Sequence, residues 1–223
     1  MKPIELRDIV LHVVRVAAAL LVLGSASRSL GVAFLASLAL FFAAFSLTHD
    51  LAHGALGLPR RVNEVALCLA GLLMLISGHA MRIMHLRHHA GRADDIEGAG
   101  AHLTAWRAVF VGPCNAIALR RAAFRFARGL PLRWQIGETS LNLATVALAV
   151  STGSRVLLVH VAVVTVLQCT LSFWGAYLPH NVPSWLVSLA RPFAFTRSPT
   201  ILNLICHEAH HENPKIPCQQ LAR

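Results

Sequence analysis

Charged residues are scarce in this chain: Asp, Glu, Lys and Arg make up 13% of its 223 residues, against roughly 25% in an ordinary soluble domain. So few charges cannot cover the surface of a soluble globule, so we exclude a wholly soluble protein. Acidic residues are the scarcer sign, with 10 against 20 Lys and Arg, and the formal net charge is +10. The 14 glycines and 10 prolines are too few for a collagen-like or low-complexity chain.

Cysteine is sparse and unorganised. The five cysteines are odd in number, widely spaced and without a CxxC pair, which excludes a disulfide framework and a zinc ribbon. We expect them to occupy small apolar positions. The basic residues accompany no recognisable nucleic-acid-binding motif, so nucleic acid is not an expected partner.

Apolar residues are abundant: they form 56% of the chain, and the mean hydropathy is +0.59. A membrane-spanning helix needs about 20 apolar residues. Four runs are apolar enough to consider as spans, at residues 9–24, 30–47, 139–150 and 156–178. A fifth run, 65–77, is too short to span and is expected to be re-entrant or interfacial. The first run is also compatible with a signal peptide, although Asp8 argues against it.

These runs predict an all-α integral membrane protein, a single domain over residues 1–223 with four transmembrane helices in two hairpins. In that arrangement the N-terminus, the segment 49–133 and the C-terminal tail share one side of the membrane. That side carries 17 of the Lys and Arg residues, among them Lys2 and Arg223, and the opposite turns carry Arg28 and Arg155. The positive-inside rule makes the richer side cytoplasmic, and a bacterial inner membrane is the expected location.

Histidine is unexpectedly frequent, with 13 residues. Eight of them form three short motifs, called box one, box two and box three below: HxxxH at His49 and His53, HxxHH at His85, His88 and His89, and HxxHH at His207, His210 and His211. Residues at i, i+3 and i+4 share one face of a helix, so each box presents its imidazoles in one direction. The predicted topology places all three boxes on the cytoplasmic side.

Such a convergence predicts metal binding. Eight imidazoles exceed the four ligands of a tetrahedral ion, so two ions are expected. Imidazole suits zinc, copper, iron and nickel alike, so the ligand type leaves the metal open. The isolated residues are expected to be interfacial rather than ligands: His12, His79, His102 and His160.

The three boxes, in this order and with membrane hairpins between them, resemble the membrane fatty acid desaturase superfamily from about His49 to Leu221. Local details are similar to bacterial beta-carotene ketolases, namely the stretch from His49 to Gly54, the stretch from Gly91 to Asp95 and the stretch from Trp174 to His180. The HHxxPxxP ending that begins at His210 is common to both groups. The resemblance implies a non-haem di-iron centre that activates O₂. Its implied ligands are the eight box histidines and His180, and the implied supporting carboxylates are Asp50, Asp94, Asp95 and Glu208.

The implied function is an O₂-dependent di-iron oxidoreductase that attacks unactivated C–H bonds of a lipid, with no catalytic residue beyond the metal centre. Desaturation of a fatty acyl chain is the first interpretation, and ketolation or hydroxylation of a carotenoid or other isoprenoid is the alternative. The chain carries no flavin, haem or iron–sulfur motif, so electrons are expected from an external, ferredoxin-like donor.

Two other classes remain open at this point. Box three also reads HExxH, in which His207 and His211 bind zinc and Glu208 is the general base of a membrane protease. That interpretation leaves boxes one and two unexplained. A metal carrier is the third class, but transport sites lie near the bilayer midplane, whereas the boxes lie at the ends of the predicted spans.

Overall fold

The computed structural model describes residues 6–221, and within that range the chain is helical without any β-strand, which confirms the predicted all-α class. Lys2 and Arg223, which were counted in the charge asymmetry, lie outside the described residues. The α-helices are α1 (Leu6–Ser25), α2 (Leu30–Ala52), α3 (Arg60–Leu73), α4 (Gly78–His89), α5 (Ala105–Phe126), α6 (Leu130–Thr152), α7 (Arg155–Cys169), α8 (Leu178–His180), α9 (Ser184–Ala190), α10 (Pro199–Ile205) and α11 (His207–Glu212). Shorter elements are the 3₁₀ helices Ala26–Arg28, Gly98–His102, Arg191–Thr196 and Cys218–Gln220, and a π-helix at Ser172–Tyr177.

The first two helices form a hairpin that contains the predicted spans 9–24 and 30–47. Both α1, with its 3₁₀ extension, and α2 are long and apolar enough to cross a membrane. Ser29 caps the start of α2 by accepting a hydrogen bond from the Val32 backbone N–H at 3.3 Å. Because α2 continues past the apolar run to Ala52, it carries box one at its C-terminal end.

Two further candidate spans are bent. Helices α3 and α4 meet at 102°, where the predicted re-entrant run 65–77 lies, and α7 meets the segment Ser172–His180 at 52°. The described residues therefore hold two candidate spans, or up to four if each bent pair is one. The predicted run 139–150 lies in α6, which is not a candidate because Gln135, Glu138 and Asn142 lower its hydropathy. The pairing into two hairpins stays a prediction.

The bend between α3 and α4 exposes carbonyl groups that helical hydrogen bonding does not reach. Two side chains of α7 satisfy them: His160 Nε2 donates to the Leu73 carbonyl at 3.0 Å, and Gln168 Nε2 donates to the carbonyls of Met74 and Leu75 at 2.6 and 3.2 Å. Inside a bilayer an unsatisfied carbonyl is costly. The prediction that His160 is interfacial is therefore wrong, because this residue is buried and satisfies a broken helix.

His79 fixes the same bend from the other side. It is 0% exposed, and its two ring nitrogens lie 2.6 Å from a Glu138 oxygen and 2.7 Å from a Glu64 oxygen. Arg82 makes two contacts to Glu64, at 2.9 and 2.8 Å, and Trp134 stacks on the imidazole. The cluster joins α3, α4 and α6, so the prediction that His79 is interfacial is also wrong.

Candidate metal centre

A first cluster of five histidines gathers where the ends of α2 and α4 meet α11. In each residue one ring nitrogen lies within 4.8 Å of a ring nitrogen of every other member. The Nε2 atoms of His89 and His210 are 3.1 Å apart. The members of the cluster are His49, His53, His85, His89 and His210.

A second cluster adjoins the first. It contains His88, His180 and His211 within the same 4.8 Å limit, and His207 joins it because its Nε2 lies 3.1 Å from the Nε2 of both His180 and His211. The rings of His89 and His211, one from each cluster, are 4.5 Å apart between centroids. The structure thus brings together all nine histidines that the sequence singled out.

Helical geometry explains how boxes two and three each serve both clusters. Successive residues of a helix are offset by 100°, so positions i and i+4 nearly coincide while i+3 falls to the other side of i. In box two, His85 and His89 join the first cluster and His88 joins the second. In box three the assignment is reversed, because the i, i+4 pair His207 and His211 belongs to the second cluster. The single helix that carries each HxxHH motif can therefore supply imidazole ligands to two neighbouring ions.

Carboxylates in the loop after α4 orient two imidazoles of box two. His85 Nδ1 lies 2.6 Å from Glu97 Oε1, and His88 Nδ1 lies 2.7 Å from Asp95 Oδ2. Donation of the Nδ1 proton to a carboxylate leaves the Nε2 lone pair free for a metal and raises the basicity of the ring. Gly98 permits this packing, since a Cβ there would lie 2.7 Å from the His88 Nδ1.

Asp50 performs a similar role beside box one. Its buried carboxylate lies 3.4 Å from the His49 Nδ1 and 3.0 Å from the His12 Nε2, and the Cys218 backbone N–H donates to it at 3.2 Å. His12 is only 1% exposed. The prediction that His12 is interfacial is wrong, because α1 places it inside the protein, against the carboxylate next to a box histidine.

Two of the four predicted supporting carboxylates lie elsewhere. Asp94 is exposed and accepts a hydrogen bond from Arg87 at 2.5 Å rather than contacting a histidine. Glu208 is exposed on α11. Of the isolated histidines, His102 is the one that is exposed, as an interfacial residue would be.

The donor atoms fit metal ions. Nε2 of His53 and Nε2 of His85 are buried without a hydrogen-bond partner among the described residues. Ligands held about 2.0–2.1 Å from an ion, as in zinc sites, lie roughly 3.0–3.4 Å apart, and the 3.1 Å separations between Nε2 atoms fall in that range.

The protonation state agrees with this fit. Burial, reinforced by neighbouring imidazoles, lowers the pKa of His53 and of His207 to about 3 and that of His211 to about 4. The same causes lower the pKa of His210. These imidazoles are therefore neutral at pH 7, the state in which histidine binds a metal.

A cavity of about 460 Å³ lies beside the first cluster. Its lining comes mainly from apolar side chains of α2 and α4 to α7 and of the π-helix, and it reaches Glu97, the partner of His85. Phe45 and Trp174, in edge contact at 4.9 Å, form part of the wall. π-Helical segments often occur at functional sites, and this one places Trp174 in the cavity.

Sequence reasoning missed two residues of this site. Glu97 carries no motif of its own, although it completes a short acidic run with Asp94 and Asp95 directly after box two. That run was the available signal. His12 had no signal, since its contact to Asp50 joins residues 38 positions apart in the sequence.

One comparison with known proteins gave a match. The sequence model of the fatty acid desaturase family matches residues 27–223, a range that contains all nine clustered histidines and the lining of the cavity. No curated protein and no solved structure matches the chain.

Proposed function

Because the chain belongs to the fatty acid desaturase family, we propose that it is a membrane oxidoreductase that uses two iron ions and O₂ to remove hydrogen from a lipid, most simply as a fatty acyl desaturase. The observation that carries the proposal is the pair of adjoining histidine clusters beside an apolar cavity. Neither a protease nor a metal carrier accounts for both features.

The side chains divide the work between holding and orienting the metals. The first cluster would hold one ion through five imidazoles, and the second would hold the other through His88, His180, His207 and His211. When bound, iron supplies the activation of O₂ that attack on an unactivated C–H bond requires. Glu97 and Asp95 accept the Nδ1 protons of His85 and His88, which leaves the Nε2 atom of each ring free to bind an ion.

The cavity provides the place for the substrate. Its apolar wall would exclude water and align a lipid chain, and Glu97 marks the end nearest the metals. A volume of about 460 Å³ falls in the range of roughly 300–1,000 Å³ that small-molecule sites occupy. A hydrophobic chain would reach it laterally from the bilayer without crossing water.

We also propose that the centre faces the cytoplasm and receives electrons from an acidic, ferredoxin-like donor. Arg125 is exposed on α5, and its guanidinium nitrogen lies 4.0 Å from a carboxylate oxygen of Asp94. Asp94 belongs to the loop after α4, which also holds the carboxylates that contact box two. Basic residues near a redox centre would steer an acidic partner electrostatically. The positive-inside asymmetry of the sequence supports the same orientation.

The test measures metal content and O₂ uptake on the same purified protein, together with lipids and pigments from a carotene-producing host. Two iron ions per chain, O₂ uptake with an electron donor and new acyl double bonds support desaturation. A pigment shift instead would support ketolation or hydroxylation of a carotenoid. One zinc ion without O₂ uptake would refute the proposal.

A further inference from the structure

The amide side chain of Asn142 forms part of the cavity wall. Asn142 lines the apolar cavity from α6 and is 9% exposed, and its Oδ1 has no hydrogen-bond partner among the described residues. A buried amide without hydrogen bonds costs free energy.

Other polar groups in the cavity wall are already engaged. Ser77 donates to Glu138, Thr165 donates to the carbonyl of its own helix at Val161, and Ser172 accepts from Asn115. Gln168 is committed to the carbonyls of the α3–α4 bend. These four groups satisfy the protein itself, whereas the amide of Asn142 makes no hydrogen bond among the described residues and is available to a group inside the cavity.

One turn beyond Asn142 on α6, Val146 packs with Met74 and Leu75 of the α3–α4 bend, at the end of the cavity away from box two. Glu138, one turn before Asn142 on α6, contacts Ser77, the residue that caps the start of α4. Met84, at the other end of the cavity, directly precedes His85. Met84 follows Ser77 by seven positions, about 10 Å along α4 at 1.5 Å per residue.

From this placement we infer that the substrate is an oxygenated lipid, whose deeply inserted part carries a hydroxyl or carbonyl group that hydrogen-bonds to Asn142. The side-chain amide has both a donor and an acceptor, so it can bind either group. A plain hydrocarbon chain would leave the amide unpaired. The inference rests on the proposed function, because it assigns the reacting carbon to the end of the cavity at Glu97.

The test compares two probes, n-hexadecane and the corresponding primary alcohol, for binding to the full chain in detergent. Binding is followed by tryptophan fluorescence, since Trp174 lines the cavity. The measured quantity is the ratio of the two dissociation constants in each variant, so that partition into the micelle cancels. One net hydrogen bond corresponds to about a tenfold preference, so Asn142→Leu, a change of similar size, should lower the preference for the alcohol about tenfold.

The matched control is Thr145→Val, which also removes a polar group from α6 but replaces a hydroxyl that bonds to the Leu141 carbonyl of its own helix. It should keep the wild-type ratio. If Asn142→Leu fails to fold, Asn142→Ala provides the same comparison. An unchanged ratio in the Asn142 variant overturns the inference.

Binding of these probes requires neither iron nor O₂, so the two proposals fail separately. An intact preference for the alcohol in a protein that never consumes O₂ would refute the proposed function alone. Oxygen consumption on a lipid without any effect of Asn142 on the ratio would refute the substrate class alone.

Discussion

Three acidic residues follow box two, and the structure gives them different roles, which permits a controlled test. Glu97 contacts the His85 Nδ1 at 2.6 Å and Asp95 contacts the His88 Nδ1 at 2.7 Å, whereas Asp94 contacts Arg87. We predict that Glu97→Gln lowers the affinity for ferrous iron while Asp94→Asn, a change of the same kind three residues earlier, leaves it unchanged.

The magnitude follows from the role of such partners. Loss of a carboxylate that supports a metal-binding histidine typically costs 10- to 100-fold in metal affinity, or about 1.4–2.7 kcal/mol. A glutamine oxygen can still accept the Nδ1 proton of His85, but without the negative charge that makes the ring more basic. The expected loss for Glu97→Gln is therefore about tenfold, and Glu97→Ala should approach a hundredfold.

The assay is competition for ferrous iron with a chromophoric chelator under anaerobic conditions, followed by iron determination on the repurified protein. Thermal unfolding of the metal-free variants shows whether the fold is retained. Equal iron affinity in Glu97→Gln and Asp94→Asn would refute the assignment of Glu97 as the partner that orients His85.

Other changes have equally definite expected results. His88→Ala should abolish turnover and lower the iron content while membrane insertion is retained; surviving activity would show that box two is assigned wrongly. Gly98→Ala should lower iron content, because the new Cβ would lie 2.7 Å from the His88 Nδ1, and wild-type iron content would contradict this. Gln168→Leu should destabilise the protein by about 1–3 kcal/mol, since the carbonyls of Met74 and Leu75 lose their donor, and an unchanged denaturation midpoint in detergent would count against that account of the bend.

Local periodicity made the histidine boxes predictable. The spacing of His85, His88 and His89 defines a shared helix face whatever the tertiary structure, and the gathering of the boxes required only that helix ends meet. The i, i+3 and i+4 positions of an HxxHH motif also allow its histidines to divide between two clusters. The division of box two between the two clusters could be assigned only after the structure placed His210 and His211 of α11 beside it.

Long-range contacts account for what the sequence could not predict. His160 reaches the Leu73 carbonyl across 87 positions of sequence, and His12 reaches Asp50 across 38. A single histidine in an apolar run gives no sign of such a partner, so both were misplaced at the interface. Neighbouring acids are equally ambiguous, because only the loop conformation decides that Asp95 contacts a histidine and Asp94 an arginine.

The contacts of the C-terminal segment determine when the fold can be completed during synthesis. The Gln220 side chain donates to Asp8 across 212 positions at 2.5 Å, and the backbone of Cys218 binds the Asp50 carboxylate. A ribosome adds about 5–20 residues per second, so roughly 10–40 s pass between the synthesis of Asp8 and that of Gln220. Box three is synthesised in the same late interval, and neither cluster has its full set of imidazoles before then. Under the proposed function, the full set of iron ligands is therefore available only after box three has been synthesised, and a nascent chain that lacks box three cannot carry a complete oxygen-activating centre.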